Sequence, residues 1–127
     1  MRSHYTESEA ETIRAFVRGK RNSRRLELAD RLRAERHDCD AIVSEIARTH
    51  SPFRIYQWGS LVDDRHFSEM SDIDIALEGI TDPVELSAIR SAAEKLTQFP
   101  LDIVAIEHVH PVYAGHIRRR GRVVYER

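Results

Sequence analysis

Asp72-Ile73-Asp74-Ile75 alternates acid and aliphatic residue by residue. A period of two is that of a β-strand, with the isoleucines turned into a core and both carboxylates on the opposite face. Two further segments frame it. Upstream, the β-rich run from Phe53 to Trp58 leads directly into Gly59-Ser60, and eleven residues separate that pair from Asp72. Downstream, Leu101-Asp102-Ile103-Val104 sets a third carboxylate in another apolar run. Neighbouring carboxylates repel and raise each other's pKa, so they call for a cation, and a hard divalent metal with oxygen ligands fits.

At 127 residues the chain makes one ordinary domain, large enough for a core but not for two. Lys+Arg 20 against Asp+Glu 21 neither demands nor excludes a polyanionic partner. The distribution is more telling, with basic residues concentrated from Arg18 to Arg36 and from Arg118 to Arg122 around an acidic middle. Acids interrupt the first cluster and no aromatic ladder accompanies it, so it reads as a solvated helix face, and nucleic acid is not expected as a direct ligand. A lone Cys39 allows no internal disulfide, and no apolar stretch approaches a membrane span or signal core, so the expected location is the cytoplasm.

Thr6-Glu7-Ser8-Glu9 is a capping box opening a helix with Ala10, Ile13, Phe16 and Val17 at helical spacing. Gly19 and Asn22-Ser23 interrupt that pattern. An additional N-terminal helix is therefore expected over residues 6–22, with the core over 23–127. Leu28, Leu32, Cys39, Ile42, Val43 and Ile46 predict a second, longer helix to about His50, with a kink near His37, stopped by Ser51-Pro52. Asp82-Pro83-Val84-Glu85 supplies an N-cap, a first-turn proline and a capping-box acid for a third helix with stripe Leu86, Ile89, Ala93 and Leu96. Strands are predicted over Phe53–Trp58, Asp72–Leu77, Leu101–Ile106 and Val123–Tyr125, and a short helix runs from Pro111 to Gly121.

That order predicts an α+β domain, a sheet of about four strands with helices packed on it. The continuously apolar third strand is expected to be buried, where an unpaired Asp102 costs several kcal/mol. If it lies beside the second strand, the three carboxylates converge and could hold two divalent ions ~3.5 to 4 Å apart for phosphoryl chemistry.

Gly59-Ser60, the spacer, Asp72-Ile73-Asp74 and the later Asp102 together resemble the motif of the minimal nucleotidyltransferases of the DNA polymerase beta superfamily, over roughly Leu32 to Arg127. The resemblance implies a polymerase beta-like nucleotidyltransferase fold with a mixed sheet. It implies nucleotide binding at Gly59 and Ser60, metal binding by Asp72, Asp74 and Asp102, and catalysis by the same three acids with Asp102 aiding deprotonation of the acceptor. Two Mg2+ ions, and ATP or another nucleoside triphosphate as substrate, are implied with them. The spacer is one residue longer than the usual ten, and Leu61-Val62-Asp63-Asp64 replaces the common Ala-Arg-Gly. The missing positive charge is expected from Arg65 or from a residue between Arg118 and Arg122.

The expected function is transfer of a nucleoside monophosphate, AMP from ATP, to a hydroxyl acceptor. The resemblance implies that the acceptor is a tyrosine of a helical HEPN-type toxin and that this chain is the antitoxin. The alternatives are a catalytically weak module of the same fold that neutralises a partner by contact, and a small-molecule transferase of the aminoglycoside-modifying sort, for which the chain lacks a sugar-holding domain. The stripe Ile13, Phe16 and Val17 needs a cover, which a partner or a second copy would provide. His108-x-His110 has no partner at zinc-site spacing and reads as surface loop. His66 reads as exposed, and Trp58 and Tyr56 as packing residues.

Overall fold

A computed structural model describes residues 4–127, leaving aside the side chain of His66. The chain opens with α1 (Glu7–His50), and Thr6 closes its N-terminus in the expected capping box with Glu9. The two helices expected before His50 are this one helix of 44 residues, with no separate element over 6–22 and no interruption at His37. Gly19, Asn22 and Ser23 cost helix stability of order 0.5–1 kcal/mol each relative to alanine, but none removes a backbone donor as proline does. The flanking arginines and glutamates are good helix formers, so the ladder runs through. Ser51 ends it in the left-handed conformation at φ 45°, just before Pro52.

β1 (Arg54–Trp58) and β2 (Ile73–Glu78) follow, separated by two 3-10 turns, Gly59–Leu61 and Asp64–His66. Then come α2 (Pro83–Glu94), β3 (Leu101–Ala105), a 3-10 turn, α3 (Pro111–Arg120) and β4 (Arg122–Glu126). Asp82 caps α2 as the sequence suggests. Glu85, expected to complete a capping box there, instead takes an interaction with His50 Nδ1 at 3.0 Å, tying α2 to the end of α1.

The four strands form one mixed sheet in the order β3-β2-β1-β4. β1 pairs antiparallel with β2 and β4, and β2 pairs parallel with β3. β3 is thus an edge strand, and Asp102 is exposed. This corrects the expectation of a buried third strand: Ile103, Ala105 and Ile106 are buried, but only one long side of the strand is paired.

The main core lies on the face covered by α1 and α2. Cys39, Ile42, Val43 and Ile46 of α1, and Leu86, Ile89 and Ala93 of α2, close over Ile55, Ile73, Ile75, Leu77 and Ile103. Leu96, the last residue of the expected α2 stripe, is beyond the helix and exposed. A smaller cluster of Tyr56, Ala76, Ile106 and Ile117, with Trp58 and Val104 against it, seats α3 on the other face.

Candidate functional site

Period-two alternation puts Tyr56 and Trp58 of β1, Asp74 and Ala76 of β2, and Asp102 and Val104 of β3 on the α3 side of the sheet. Register then decides what meets what. Trp58 lies opposite Asp74 in the antiparallel ladder, and Asp74 lies beside Asp102 in the parallel one. Directly paired residues share a face at close range, so the two carboxylates are neighbours across one strand gap. Asp72 sits one residue ahead of β2.

The electrostatics follow. Burial, followed by the negative charges of Asp102, Asp72 and Glu35 in that order, pushes the Asp74 carboxyl up to about 7. Burial also raises the Tyr113 phenol, with Asp74 and Asp102 adding to the effect, so this side chain faces the same acids. Its ring meets that of Trp58 edge-on, centroids 5.4 Å apart. Trp58 therefore has the packing role expected, and it packs at the border of the acidic cluster.

Gly59 turns the chain out of β1 at φ 75°. A Cβ there would collide with Asp74 Oδ2, so only glycine lets this backbone pass the carboxylate. The turn is held from outside as well: Arg36 of α1 donates through Nε and Nη2 to the Leu61 carbonyl at 3.1 and 2.9 Å. Beyond the turn lies an open groove of about 570 Å³ lined by Gly59, Ser60, Val62, Asp63, Arg65, His116 and Arg120. That volume is in the range of small-molecule sites.

The basic residues expected to serve this groove have separate fates. Arg65 lines it but makes a two-pronged bond to Asp63, Nε to Oδ1 at 2.8 Å and Nη2 to Oδ2 at 2.7 Å, within its own loop. Arg118 points elsewhere and pairs with Glu78 at 3.1 Å. Arg122 donates to the buried Gln57 side chain. Arg120 reaches the groove.

Glu35 was not singled out from sequence. It is fully buried, accepts from Arg31 Nε at 3.2 Å through Oε2, and has no partner for Oε1 among the described residues. Burial raises its carboxyl despite Arg31, and the charges of Asp72 and Asp38 add to the rise. The signal was the helical spacing itself, since position 35 continues the stripe of Leu28, Leu32, Cys39 and Ile42. Cys39 is an inert thiol, pushed up to about 12 by burial. His110 is spoken for structurally, capping α3 by accepting from the Val112 N–H at 3.1 Å. His108 is exposed, as expected.

The donor set suits a hard divalent cation, being all carboxylate oxygen, with the charges of Asp102 and Asp72 set around Asp74. Among the described residues no three His, Cys, Asp or Glu side chains are gathered as a ready-made metal cage.

Three solved structures share this architecture. A minimal nucleotidyltransferase is 24% identical, with TM-score 0.60, over 72% of this chain and 93% of that one. A toxin-antitoxin structure with AMP-PNP is 18% identical, with TM-score 0.57, over 69% and 73%. A Shewanella oneidensis structure of a tri-AMPylated HEPN toxin in complex with its MNT antitoxin is 16% identical, with TM-score 0.56, over 73% of each chain. No family model and no curated protein matches the sequence. The fold is that of the minimal nucleotidyltransferases, and among the described residues no helix is long and apolar enough to cross a membrane.

Proposed function

We propose that this chain is a minimal nucleotidyltransferase that transfers AMP from ATP to a hydroxyl acceptor, a tyrosine of a helical HEPN-type toxin, and so acts as the antitoxin. One observation carries the reading: Asp74 lies in register with Asp102 while the Gly59 turn is pressed against the Asp74 carboxylate. That contact sets a phosphate-type turn beside an acidic cluster, which is the juxtaposition phosphoryl transfer needs. Asp72, Asp74 and Asp102 would hold Mg2+, which supplies charge neutralisation at the phosphates when bound. Gly59 and Ser60 bind the phosphate chain, and Asp102, exposed on the edge strand, takes the acceptor's proton. Because β3 is the edge of the sheet, an acceptor carried by another protein reaches Asp102 without displacing any element.

Support for the partner comes from the likenesses: the Shewanella oneidensis MNT antitoxin is in complex with a tri-AMPylated HEPN toxin. A second reading, a contact module with little turnover, is favoured by the internal pairing of Arg65 with Asp63, which withholds that arginine from a nucleotide. Pyrophosphate release from ATP with Mg2+ separates the two. Release that is lost in Asp72→Asn supports the transferase. Absence of both release and Mg-ATP binding leaves the contact module.

A further inference from the structure

The groove beside Gly59-Ser60 needs positive charge to hold a polyphosphate, and the loop that should bring it cancels its own. Asp63 engages both prongs of Arg65. The opposite wall is a different element. Tyr113, His116 and Arg120 stand at i, i+3 and i+7 on α3, which places them along one flank of the helix. Its first member meets Trp58 at the edge of the acids, and the other two line the groove by the turn. Arg118, on the opposite flank, is taken by Glu78, whereas Arg120 makes no ion pair among the described residues.

We infer that the His116–Arg120 flank of α3 is the polyphosphate-binding wall of this site, holding the β- and γ-phosphates of a nucleoside triphosphate in place of the arginine missing from the Gly-Ser loop. The inference rests on the nucleotidyltransferase reading for the identity of the ligand, but its geometry is independent of turnover. A guanidinium on a helix beside a polyphosphate makes charge-assisted bonds that an arginine already paired within its own turn makes only after losing its partner. Tyr113 continues the wall towards Asp74 and Asp102, so one helix flank runs the length from polyphosphate to acids.

Trp58 is the single tryptophan and abuts both Gly59 and Tyr113, which makes its fluorescence the reporter. The full chain is titrated with Mg-ATP and, separately, with inorganic tripolyphosphate without metal. Arg120→Ala is expected to weaken binding of both ligands about tenfold or more, as loss of a bond to a charged group does. His116→Ala is expected to weaken both less, and Arg118→Ala, outside the groove, to change them by less than about threefold. A thermal melt checks that each exposed-site variant is folded. Wild-type affinity for both ligands in Arg120→Ala overturns the inference, as does a loss confined to Arg65→Ala. If the wild type turns over ATP while Arg120→Ala binds it normally, the inference fails and the functional reading stands. If tripolyphosphate binding depends on Arg120 but ATP is never turned over, the reading fails and the inference stands. If neither ligand binds the wild type, both fall.

Discussion

On the side of the sheet covered by α1 and α2, Ile55, Ile73, Ile75, Leu77 and Ile103 are sealed from solvent. On the other side the same three strands carry Trp58, Asp74 and Asp102, with α3 covering only part of the surface. One face is closed by hydrophobic burial, and the other concentrates like charge that burial makes worse. The contrast shows why a site of this kind can exist in a small domain. Stability is supplied from one side of each strand, which leaves the alternate positions free to carry groups that oppose folding.

The sharpest way to break this division is to change one strand on each face. Asp74→Asn keeps the shape and removes the charge. Nucleotide transfer is expected to fall by about a hundred to a thousandfold or more, on the scale of losing a key electrostatic group. The thermal midpoint at neutral pH is expected to hold or rise, because like-charge repulsion is relieved. A large drop in that midpoint would mean that Asp74 is part of the structural face after all. Ile75→Ala, the adjacent residue on the other face, is expected to cost about 2–5 kcal/mol in denaturant unfolding through the cavity it leaves. Loss of transfer without loss of stability in that variant would erase the distinction.

Gly59→Ala tests the place where the faces meet. A left-handed φ is strained for alanine by about 1–3 kcal/mol, and the added methyl meets the Asp74 carboxylate. If that contact is real, the cost of Gly59→Ala is smaller in an Asp74→Ala background than in the wild type, because the double variant removes the clash and keeps only the backbone term. Additive effects in this cycle would separate the turn from the acid.

The structural face was read from sequence almost whole, because its signals are local and periodic. The strands carrying Ile55, Ile73 and Ile103 and the capped α2 lie where alternation, Pro83 and Pro100 put them. Glycine and asparagine look like punctuation within a sequence, but helix continuity depends on donors that neither residue removes, so α1 runs on through Gly19 and Asn22. The acidic face was legible in its residues but not in its exposure. Whether Asp102 is buried turns on strand order, a long-range property, and an apolar strand looks the same at an edge as in the middle. The groove's far wall was legible only as a basic segment. Which of Arg118, Arg120 and Arg122 reaches it is set by the angle at which α3 packs, and that follows from Ile117 and Ala114 seated beneath it.

The last test is pH, and the sign of its effect follows from the two faces together. In the folded, metal-free protein Asp74 keeps its proton to about pH 7, whereas in the unfolded chain the ordinary carboxyl value is 3.8. Between those values the folded state binds more protons than the unfolded one, so stability falls as pH rises through this range and levels off above it. Burial raises the Glu35 carboxyl as well, and it acts in the same direction. Midpoints of urea unfolding at pH 5 and pH 8 are expected to differ in the wild type, to differ less in Asp74→Asn, and to converge when Glu35→Gln is added. Mg2+ at pH 8 should recover part of the loss in the wild type and little in Asp74→Asn, since a cation that binds only the folded, ionised cluster stabilises it by linkage. A wild-type midpoint unchanged between the two pH values would mean that the acids are no burden on the fold, and the division between the faces would lose its energetic meaning.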